Sequence, residues 1–385
     1  MRKIRMGMIG GGPGAFIGAV HRAAAAMDGY IELVCGNFSS DPAKSQQMGE
    51  ELNLLPERVY ASFEEMIRIE ASLPPDIRMD FVSIVTPNHV HFAPAKMALE
   101  AGFDVVMDKP MTFDLAEAKE LKTVVERTGR LFCLTHTYSG YPMIKEAREQ
   151  IRKGVLGKIR KVFVSYPQGW LSSFLEASAE QKQASWRTDP SRSGIAGAMG
   201  DIGTHAFHLA EYVTGLQVTA LCAQVNVVVE GRKLDDDGAV FLRLDNGATG
   251  LLVASQVLTG EENTLTIKVY GEKGGLEWSH ADANSLLLKW PDAPTQVLRA
   301  GTGYLSEAAK HNTRTPAGHP EGFLEAFANH YRNFVLCVKA RAMNAHPQKE
   351  WLDFPNVDDG VRGMAFIENV IASGKSDQKW MTFTV

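Results

Sequence analysis

The chain has 385 residues, of which 45% are hydrophobic and 22% are charged, with a formal net charge of -5 at pH 7. This length favours two domains, because a single hydrophobic core rarely grows so large. The small negative charge, without Lys and Arg clustered among aromatic residues, argues against a nucleic-acid partner, and no apolar run approaches the ~20 residues of a membrane span.

The first third of the chain alternates predicted strands and helices, which is typical of βαβ units. Strands are predicted over residues 4–9, 31–35, 81–85, 103–107 and 131–134. Helices are predicted over residues 14–27, 42–52, 90–100 and 114–129, with a further short helix after residue 62. The alternation predicts an α/β domain over residues 1–135, built on a doubly wound parallel sheet with an expected total of six strands, five of which have the ranges given above.

The pattern changes after residue 135 to one helix followed by long alternating strands. The helix is predicted over residues 143–152, and strands over 162–166, 218–229, 241–244, 250–257, 265–270 and 286–290. Asp245-Asn246-Gly247 predicts a hairpin turn between two of these strands. Helices over residues 321–340 and 358–373 complete a predicted α+β domain, residues 136–385, around a mainly antiparallel sheet.

A glycine-rich loop follows the first predicted strand. The run from Gly10 to Ala15 fits G-x-G-x-x-A between a strand and a helix, where glycines let a pyrophosphate approach the helix N-terminus. A glycine turn that only joins the two elements is the alternative, but the position inside a βαβ unit favours an NAD(P)-binding Rossmann domain. The predicted cofactor contacts are Gly10, Gly12, Pro13, Gly14, Ala15 and Phe16.

The end of the second predicted strand favours NAD over NADP. The acidic residue that usually bonds the adenosine ribose is missing between Cys35 and Ser40, and no arginine stands there to bind a 2′-phosphate. Lys44, one turn into the next helix, is within reach of such a phosphate, so NADP is the alternative. Ser39 and Lys44 are the predicted contacts.

Two further strand ends place polar residues at the edge where open parallel sheets bind ligands. One strand is followed by Thr86-Pro87-Asn88-His89-Val90-His91, and the next by Asp108-Lys109-Pro110. The H-x-H spacing is too small a ligand set for a metal, so no metal is assigned. A surface lysine beside a turn is the alternative for Lys109, but its strand leads to the ligand edge. The predicted cofactor contacts are Thr86, Pro87, Asn88, His91, Asp108 and Lys109.

A second glycine-rich run leads into a predicted helix that carries Asp201 and His205. These residues are four apart and share one face of a helix that begins there. A core histidine capped by Asp201 is the alternative to a functional pair. The acidic run from Asp235 to Asp237 is interpreted as a solvated turn rather than a metal site.

The four cysteines and the start of the chain indicate the compartment. The cysteines are far apart and lack a metal-site spacing, as expected of reduced, buried thiols. The segment before Gly10 has no apolar stretch of signal-peptide length. We therefore expect a cytoplasmic protein.

Four motifs in this order resemble the Gfo/Idh/MocA oxidoreductases, the family of glucose-fructose oxidoreductase and inositol dehydrogenase. They are the N-terminal glycine loop, TPNHVH, DKP and the glycine-rich run ending in D-x-x-x-H, and the match spans essentially the whole chain. GGGPGAFIGAVH, YPQGWL, WRTDP and PAGHPEG resemble the branch that includes levoglucosan dehydrogenase. Asp108 replaces the frequent Glu, Gly197-Ala198-Met199 replaces GGG, and His208 replaces an acidic residue; the last puts the substrate contacts in doubt.

The resemblance implies an oxidoreductase that acts on a CH–OH group with NAD or NADP. Lys109, Asp201 and His205 are then the implied catalytic residues on a sugar or cyclitol hydroxyl, with His205 as the base and Lys109 stabilising the alkoxide. The same three residues and Tyr138, Gln168, Trp170, Arg187 and His319 are the implied substrate contacts. Tyr138 and Trp170 as ordinary core aromatics are the alternative. Relatives form dimers or tetramers, so a homo-oligomer is expected.

Three functions are compatible with this sequence. The first is a dehydrogenase of a neutral sugar, anhydrosugar or inositol. The second is an enzyme of the same fold that retains its NAD and cleaves a glycosidic bond, as a glycosidase or lyase, through transient oxidation. The third is a non-catalytic nicotinamide-dinucleotide sensor, which the joint presence of Lys109, Asp201 and His205 disfavours.

Overall fold

The computed structural model describes residues 2–176 and 182–385. Its strands are β1 (Ile4–Gly10), β2 (Ile31–Asn37), β3 (Phe81–Val85), β4 (Asp104–Met107), β5 (Phe132–Leu134), β6 (Ile159–Pro167), β7 (Val218–Asn226), β8 (Asp237–Leu244), β9 (Thr249–Ser255), β10 (Thr266–Gly271), β11 (Gly275–Ser279), β12 (Ser285–Lys289), β13 (Gln296–Arg299) and β14 (Met381–Thr382). Its helices are α1 (Phe16–Ala26), α2 (Pro42–Glu51), α3 (Phe63–Ser72), α4 (Phe92–Glu100), α5 (Leu115–Thr128), α6 (Pro142–Arg152), α7 (Lys182–Arg187), α8 (Pro190–Ser193), α9 (Thr204–Thr214), α10 (Glu307–His311), α11 (Phe323–Ala342) and α12 (Val357–Gly374).

The first compact unit contains the chain up to Thr137 together with Phe323–Val361. Its parallel sheet has the strand order β2-β1-β3-β4-β5, and the prediction of a doubly wound α/β domain is confirmed. Every residue of β3 and β4 is buried, as expected for central strands covered on both faces. The carboxyl ends of β1 and β3 are in register, since Gly10 pairs with Val85.

The expectation of six strands was wrong, because the described part of this unit forms only five, and they correspond to the five predicted ranges. After α2 the chain makes a 3₁₀ turn, Pro56–Arg58, and Val59 then forms only one isolated parallel bridge with Gly36. A single bridge does not continue into a ladder. The sheet therefore has five strands.

Helix α11 belongs to the first unit, whereas the sequence assigned it to a second domain over residues 136–385. It belongs to the first unit because its apolar face is buried against strands and a helix of that unit. Phe327, Tyr331 and Phe334 are buried in one hydrophobic cluster with β1, β3 and α1. The centroids of the Phe81 and Phe334 rings lie 5.3 Å apart, and the rings are arranged edge-on.

The second unit contains Tyr138–Gly322 and Arg362–Val385. Its nine-stranded sheet has the order β13-β12-β11-β10-β6-β9-β8-β7-β14, and among the strands of the described residues only β6 and β9 pair in parallel. The mainly antiparallel sheet is thus confirmed, and Gly247, with φ of +87°, lies in the predicted hairpin between β8 and β9. Helices α6 and α9 pack against one face of this sheet.

The opposite face of the large sheet carries apolar side chains. Along β6 the buried residues Val162 and Val164 alternate with Phe163, which is 38% exposed. Leu251 and Val253 of β9 lie beside Phe163 on the same face. Among the helices of the described ranges, none combines the length and hydropathy needed to span a membrane.

Candidate functional site

The glycine loop connects β1 to α1 through positions that only glycine tolerates. Gly10 has φ of +88°, and a Cβ there would lie 2.9 Å from the carbonyl group of Val85. At Gly12 a Cβ would lie 2.5 Å from the carbonyl oxygen of Phe38. The loop is therefore held against the ends of β2 and β3, and a bulkier residue would displace it.

The start of α1 leaves its amide groups available to a ligand. Ala15, the residue before the helix, has a methyl side chain that cannot accept a hydrogen bond, although its own N–H bonds to Gly12 O at 3.0 Å. Gly14 has φ of +74°, next to Pro13 in the same loop, and Phe16 is 62% exposed. This geometry fits the pyrophosphate of a dinucleotide, which gains from free N–H groups and the helix dipole.

An asparagine side-chain amide forms hydrogen bonds to the backbone at the end of β2. Asn37 Nδ2 donates to the carbonyl oxygens of Ser39 and Tyr60 at 3.1 and 3.0 Å. Ser39 Oγ in turn accepts the Asp41 N–H, and Lys44 Nζ lies 3.6 Å from Asp41 Oδ2. Asp41 also caps α2, as expected of a helix-start residue. The charge of Lys44 is thus already partly compensated by a carboxylate.

The ends of β3 and β4 hold the predicted residues around Lys109. The Thr86 hydroxyl is buried, and no hydrogen-bond partner for it occurs among the described residues. Asn88, which follows Pro87, is 5% exposed. Asp108 Oδ1 accepts hydrogen bonds from the Lys109 N–H at 2.9 Å and from Thr135 Oγ1 at 3.1 Å. An orphaned hydroxyl beside the glycine loop fits a site that a polar ligand such as NAD completes.

Helix α9 begins differently from the prediction, as a turn of π-helix, Met199–Gly203, followed by the α-helix. Asp235 anchors this start: its carboxylate accepts the N–H groups of Gly197 and Met199 at 2.6 and 2.7 Å. Burial raises the pKa of Asp235 to about 6.

The interpretation of the acidic run as a solvated turn was wrong, because Asp235 and Asp236 are 6% and 0% exposed. The Asp236 carboxylate accepts two backbone N–H groups and bonds Arg232 at 3.0 Å. Buried carboxylates of this kind need such donors, and the sequence run did not reveal them. No group of three or more potential metal-binding side chains occurs in the described ranges.

Asp201 belongs to a chain of hydrogen bonds that reaches three of the predicted substrate contacts. Its Oδ2 accepts Gln256 Nε2 at 2.9 Å and lies 3.5 Å from Arg187 Nε. Gln256 Nε2 also lies 3.2 Å from Gln168 Oε1, which accepts the Trp170 indole N–H at 3.0 Å. Gln256 is 3% exposed and was missed in the sequence.

Two tyrosines connect this chain to His205. The hydroxyls of Tyr138 and Tyr166 share a hydrogen bond, and Asn263 bonds both: its Oδ1 accepts Tyr166 at 2.7 Å and its Nδ2 donates to Tyr138 at 3.1 Å. The Tyr138 ring stands edge-on to the His205 imidazole, with centroids 5.1 Å apart. Burial raises the pKa of Tyr138 and Tyr166, so both stay protonated and polar. Gln168 Nε2 joins the group through Asn263 Oδ1.

We call this connected set of side chains the amide–tyrosine network; its members are Tyr138, Tyr166, Gln168, Trp170, Arg187, Asp201, His205, Gln256 and Asn263. His319 is not hydrogen-bonded to any of them in the described part of the chain: it is exposed, and its N–H bonds to Pro316 O at 3.2 Å. His208 is 6% exposed and stacks on Tyr212. The roles of these side chains stay predictions.

Comparison with known protein families matches both halves of the chain. A family model described as "Oxidoreductase family, NAD-binding Rossmann fold" matches residues 4–136, and one described as "GFO/IDH/MocA C-terminal domain" matches residues 144–277. An oxidoreductase structure from Sinorhizobium meliloti is 42% identical with a TM-score of 0.88, and the match covers 99% of this chain and 100% of that one.

Two further relatives carry more specific names. An inositol dehydrogenase homologue from Azotobacter vinelandii, in complex with NAD+, is 34% identical with a TM-score of 0.93, over 99% of this chain and 98% of its own. A structure of an inositol dehydrogenase homologue from the same organism with NADH and myo-inositol has a TM-score of 0.90. A levoglucosan dehydrogenase from Pseudarthrobacter phenanthrenivorans is 26% identical over 78% of this chain and 79% of its own.

Proposed function

The chain belongs to the Gfo/Idh/MocA family of NAD-binding oxidoreductases, and from this premise we propose that it oxidises a secondary hydroxyl of a neutral inositol, sugar or anhydrosugar. The observation that carries the proposal is the amide–tyrosine network around Asp201 and His205. Amides, tyrosine hydroxyls and a carboxylate are the groups that recognise neighbouring hydroxyls. The inositol dehydrogenase homologue and the levoglucosan dehydrogenase support the same substrate class.

The charge balance of the network favours a neutral substrate. The guanidinium of Arg187 lies 3.5 Å from Asp201 and stacks over the ring of Trp186 at 4.4 Å. An arginine already paired in this way is a weak receptor for a phosphate or carboxylate, because binding a second anion requires it to leave the first. We therefore expect sugar phosphates to be poor substrates.

Gly10, Gly12 and the start of α1 would hold the NAD pyrophosphate, with Thr86 and Asn88 beside the nicotinamide end. NAD supplies the acceptor for the hydride that leaves the substrate carbon. With an uncharged amide at the end of β2 and Lys44 near Asp41, NAD is the proposed cofactor and NADP the weaker alternative.

The proposed chemistry of the protein residues concerns one proton and one developing charge. A secondary alcohol is a poor acid, so its proton must move to a base as the hydride departs. His205 takes that proton at its imidazole, and the ammonium group of Lys109 stabilises the alkoxide. Asp201, oriented by Gln256, binds a neighbouring hydroxyl and so fixes which carbon is oxidised.

The exposed face of the large sheet supports a homo-oligomer. Phe163 and Phe241 are 38% and 53% exposed on strands β6 and β8, an apolar surface that a second copy of this chain would cover. Phe163→Glu should therefore reduce the mass measured by light scattering. A wild-type protein that is monomeric at micromolar concentration would contradict this part of the proposal.

The experiment is a substrate panel run separately with NAD and NADP, with NADH or NADPH absorbance as the readout. It contains myo-inositol, levoglucosan, glucose, glucose 6-phosphate and an aryl glycoside. Turnover of a neutral member with accumulation of NADH is expected. Turnover confined to glucose 6-phosphate would overturn the neutral class, and sugar release from a glycoside without NADH accumulation would favour the NAD-retaining mechanism.

Variants separate catalysis from cofactor binding. His205→Ala should lower kcat by about 100- to 10,000-fold with little change in the Kd of NADH, since general base catalysis contributes that much. Lys109→Ala should be at least as damaging. Ser62→Ala is the control, because Ser62 caps α3 and belongs to none of the predicted cofactor or substrate contacts. Unchanged kcat in His205→Ala would remove it from the role of base.

A further inference from the structure

His91 is buried between the ends of two neighbouring strands. It is 1% exposed and precedes α4. Its Nδ1 lies 2.8 Å from the carbonyl oxygen of Pro110, which follows β4, and its Nε2 lies 2.8 Å from the carbonyl oxygen of Thr86, which follows β3. One imidazole ring therefore connects both segments that carry predicted cofactor and catalytic residues.

The donor and acceptor roles in these contacts are fixed by their chemistry. Carbonyl oxygens only accept hydrogen bonds, so each bond must be donated by an imidazole N–H. The neutral ring donates one such bond and the protonated ring donates both. Burial lowers the pKa of His91, so the neutral ring donates to one of the two carbonyl oxygens while its other nitrogen faces the second. Both nitrogens thus point at protein oxygens, and a hydrogen bond from His91 to a cofactor would require the ring to leave one of them.

Lys109 is held on both sides by this arrangement. Its own N–H is bonded to Asp108 Oδ1 at 2.9 Å, and the carbonyl of the next residue, Pro110, faces His91. Asp108 is fixed in turn by Thr135 and by its N–H bond to Ile84 O at 3.0 Å. The backbone on either side of the lysine is thus held by polar contacts, of which the one to His91 is buried and those to Asp108 are partly buried.

We propose that His91 is a positioning residue that fixes the Lys109 segment to the end of β3, rather than a ligand of the cofactor. The proposal rests on the role proposed for Lys109, which is the group that the arrangement orients. A catalytic cation must lie within a few tenths of an ångström of its working position, and displacement by about 1 Å costs on the order of 100-fold in rate.

The test is a double-mutant cycle on the full-length enzyme with NAD and the most active member of the substrate panel. His91→Phe keeps a ring of similar size and removes every N–H donor of the side chain. We expect kcat to fall by about 10- to 100-fold, with the Kd of NADH, measured by fluorescence, changed less than about threefold. In a Lys109→Met background the same substitution should change kcat less than about twofold, because the group it orients is gone.

His21→Phe is the matched control for loss of a buried histidine. His21 is 0% exposed in the same unit and bonds the side chains of Tyr331 and Ser83, none of which belongs to the Lys109 segment. We expect this variant to lose stability and to keep kcat within about twofold of wild type. A kcat loss in His21→Phe equal to that in His91→Phe would overturn the proposal.

A second measurement does not depend on turnover. Amide hydrogen exchange over residues 107–112, followed by mass spectrometry, should accelerate in His91→Phe and not in His21→Phe. Unchanged exchange, or an equal kcat loss in the wild-type and Lys109→Met backgrounds, would refute the positioning role. Full activity of Lys109→Met with accelerated exchange in His91→Phe would instead refute the proposed role of Lys109 and leave the fastening of the segment standing.

Discussion

Gln256→Leu is the sharpest perturbation of the amide–tyrosine network, because a single buried nitrogen serves two partners. Gln256 Nε2 donates to Asp201 Oδ2 at 2.9 Å and lies 3.2 Å from Gln168 Oε1. Leucine has a similar volume and no donor, so both oxygens lose a partner while the packing is kept. Asp201 then retains Arg187, and Gln168 retains the Trp170 indole.

The expected magnitude follows from the charges of the partners. A hydrogen bond to a charged group contributes about 1.5–3 kcal/mol and one between neutral groups about 1 kcal/mol. If the bond to Asp201 orients its carboxylate in the transition state, its loss lowers kcat/KM by about 10- to 100-fold, since 1.4 kcal/mol is a factor of ten. The melting temperature should fall by only a few degrees.

The assay is initial-rate measurement of NADH formation with the best substrate of the panel, beside thermal unfolding of each variant. Gln296→Leu is the matched control, because Gln296 is an exposed glutamine of β13 in the same unit. It should keep the wild-type kcat/KM. Wild-type kcat/KM in a folded Gln256→Leu protein would refute the reasoning that Gln256 orients Asp201.

Two predictions concern buried polar groups. Since burial raises the pKa of Asp235 from 3.8 to about 6, its stability contribution is complete below about pH 4 and is lost as the pH rises through about 6. Over that range the unfolding free energy of wild type should fall by about 3 kcal/mol relative to Asp235→Asn in urea titrations, and parallel curves would contradict this. Tyr331→Phe removes the hydroxyl that bonds His21 Nδ1 at 2.6 Å and Ser83 Oγ at 2.8 Å, so stability should fall by about 1–3 kcal/mol while initial rates stay unchanged. A lower kcat in Tyr331→Phe would show that this cluster does more than stabilise the fold.

The features that could be predicted from the sequence depend on residues that lie close together in the chain. Gly10, with φ of +88°, is required by the turn between β1 and α1, and the parallel pairing of β1 with β2 belongs to the same βαβ unit. Asp41 caps α2 through a hydrogen bond two residues away. Short-range conformational preference and hydrophobic period were sufficient for the fold class, the parallel sheet and the mainly antiparallel sheet.

The hydrogen bonds of the amide–tyrosine network could not be predicted, because they join distant parts of the chain, although the family resemblance named six of its nine members. Asn263 Nδ2 reaches Tyr138 across 125 residues, and Gln256 reaches Asp201 across 55. A polar residue at the end of a strand has the same local pattern whether it faces water or a carboxylate. Only the register of β6 beside β9 and β10 decides which of them meet.

The same distinction explains why the structure differs from the sequence-based interpretation of the acidic run and from the sequence-based assignment of α11 to the second domain. By itself the sequence determined that Asp235 and Asp236 precede a strand, and that a helix lies at about residues 321–340. The tertiary structure decided that both carboxylates are buried against backbone N–H groups, and that α11 packs on the parallel sheet. The physical reason is that burial is a property of the partner surface, which comes from elsewhere in the chain and has no signature in the segment that it covers.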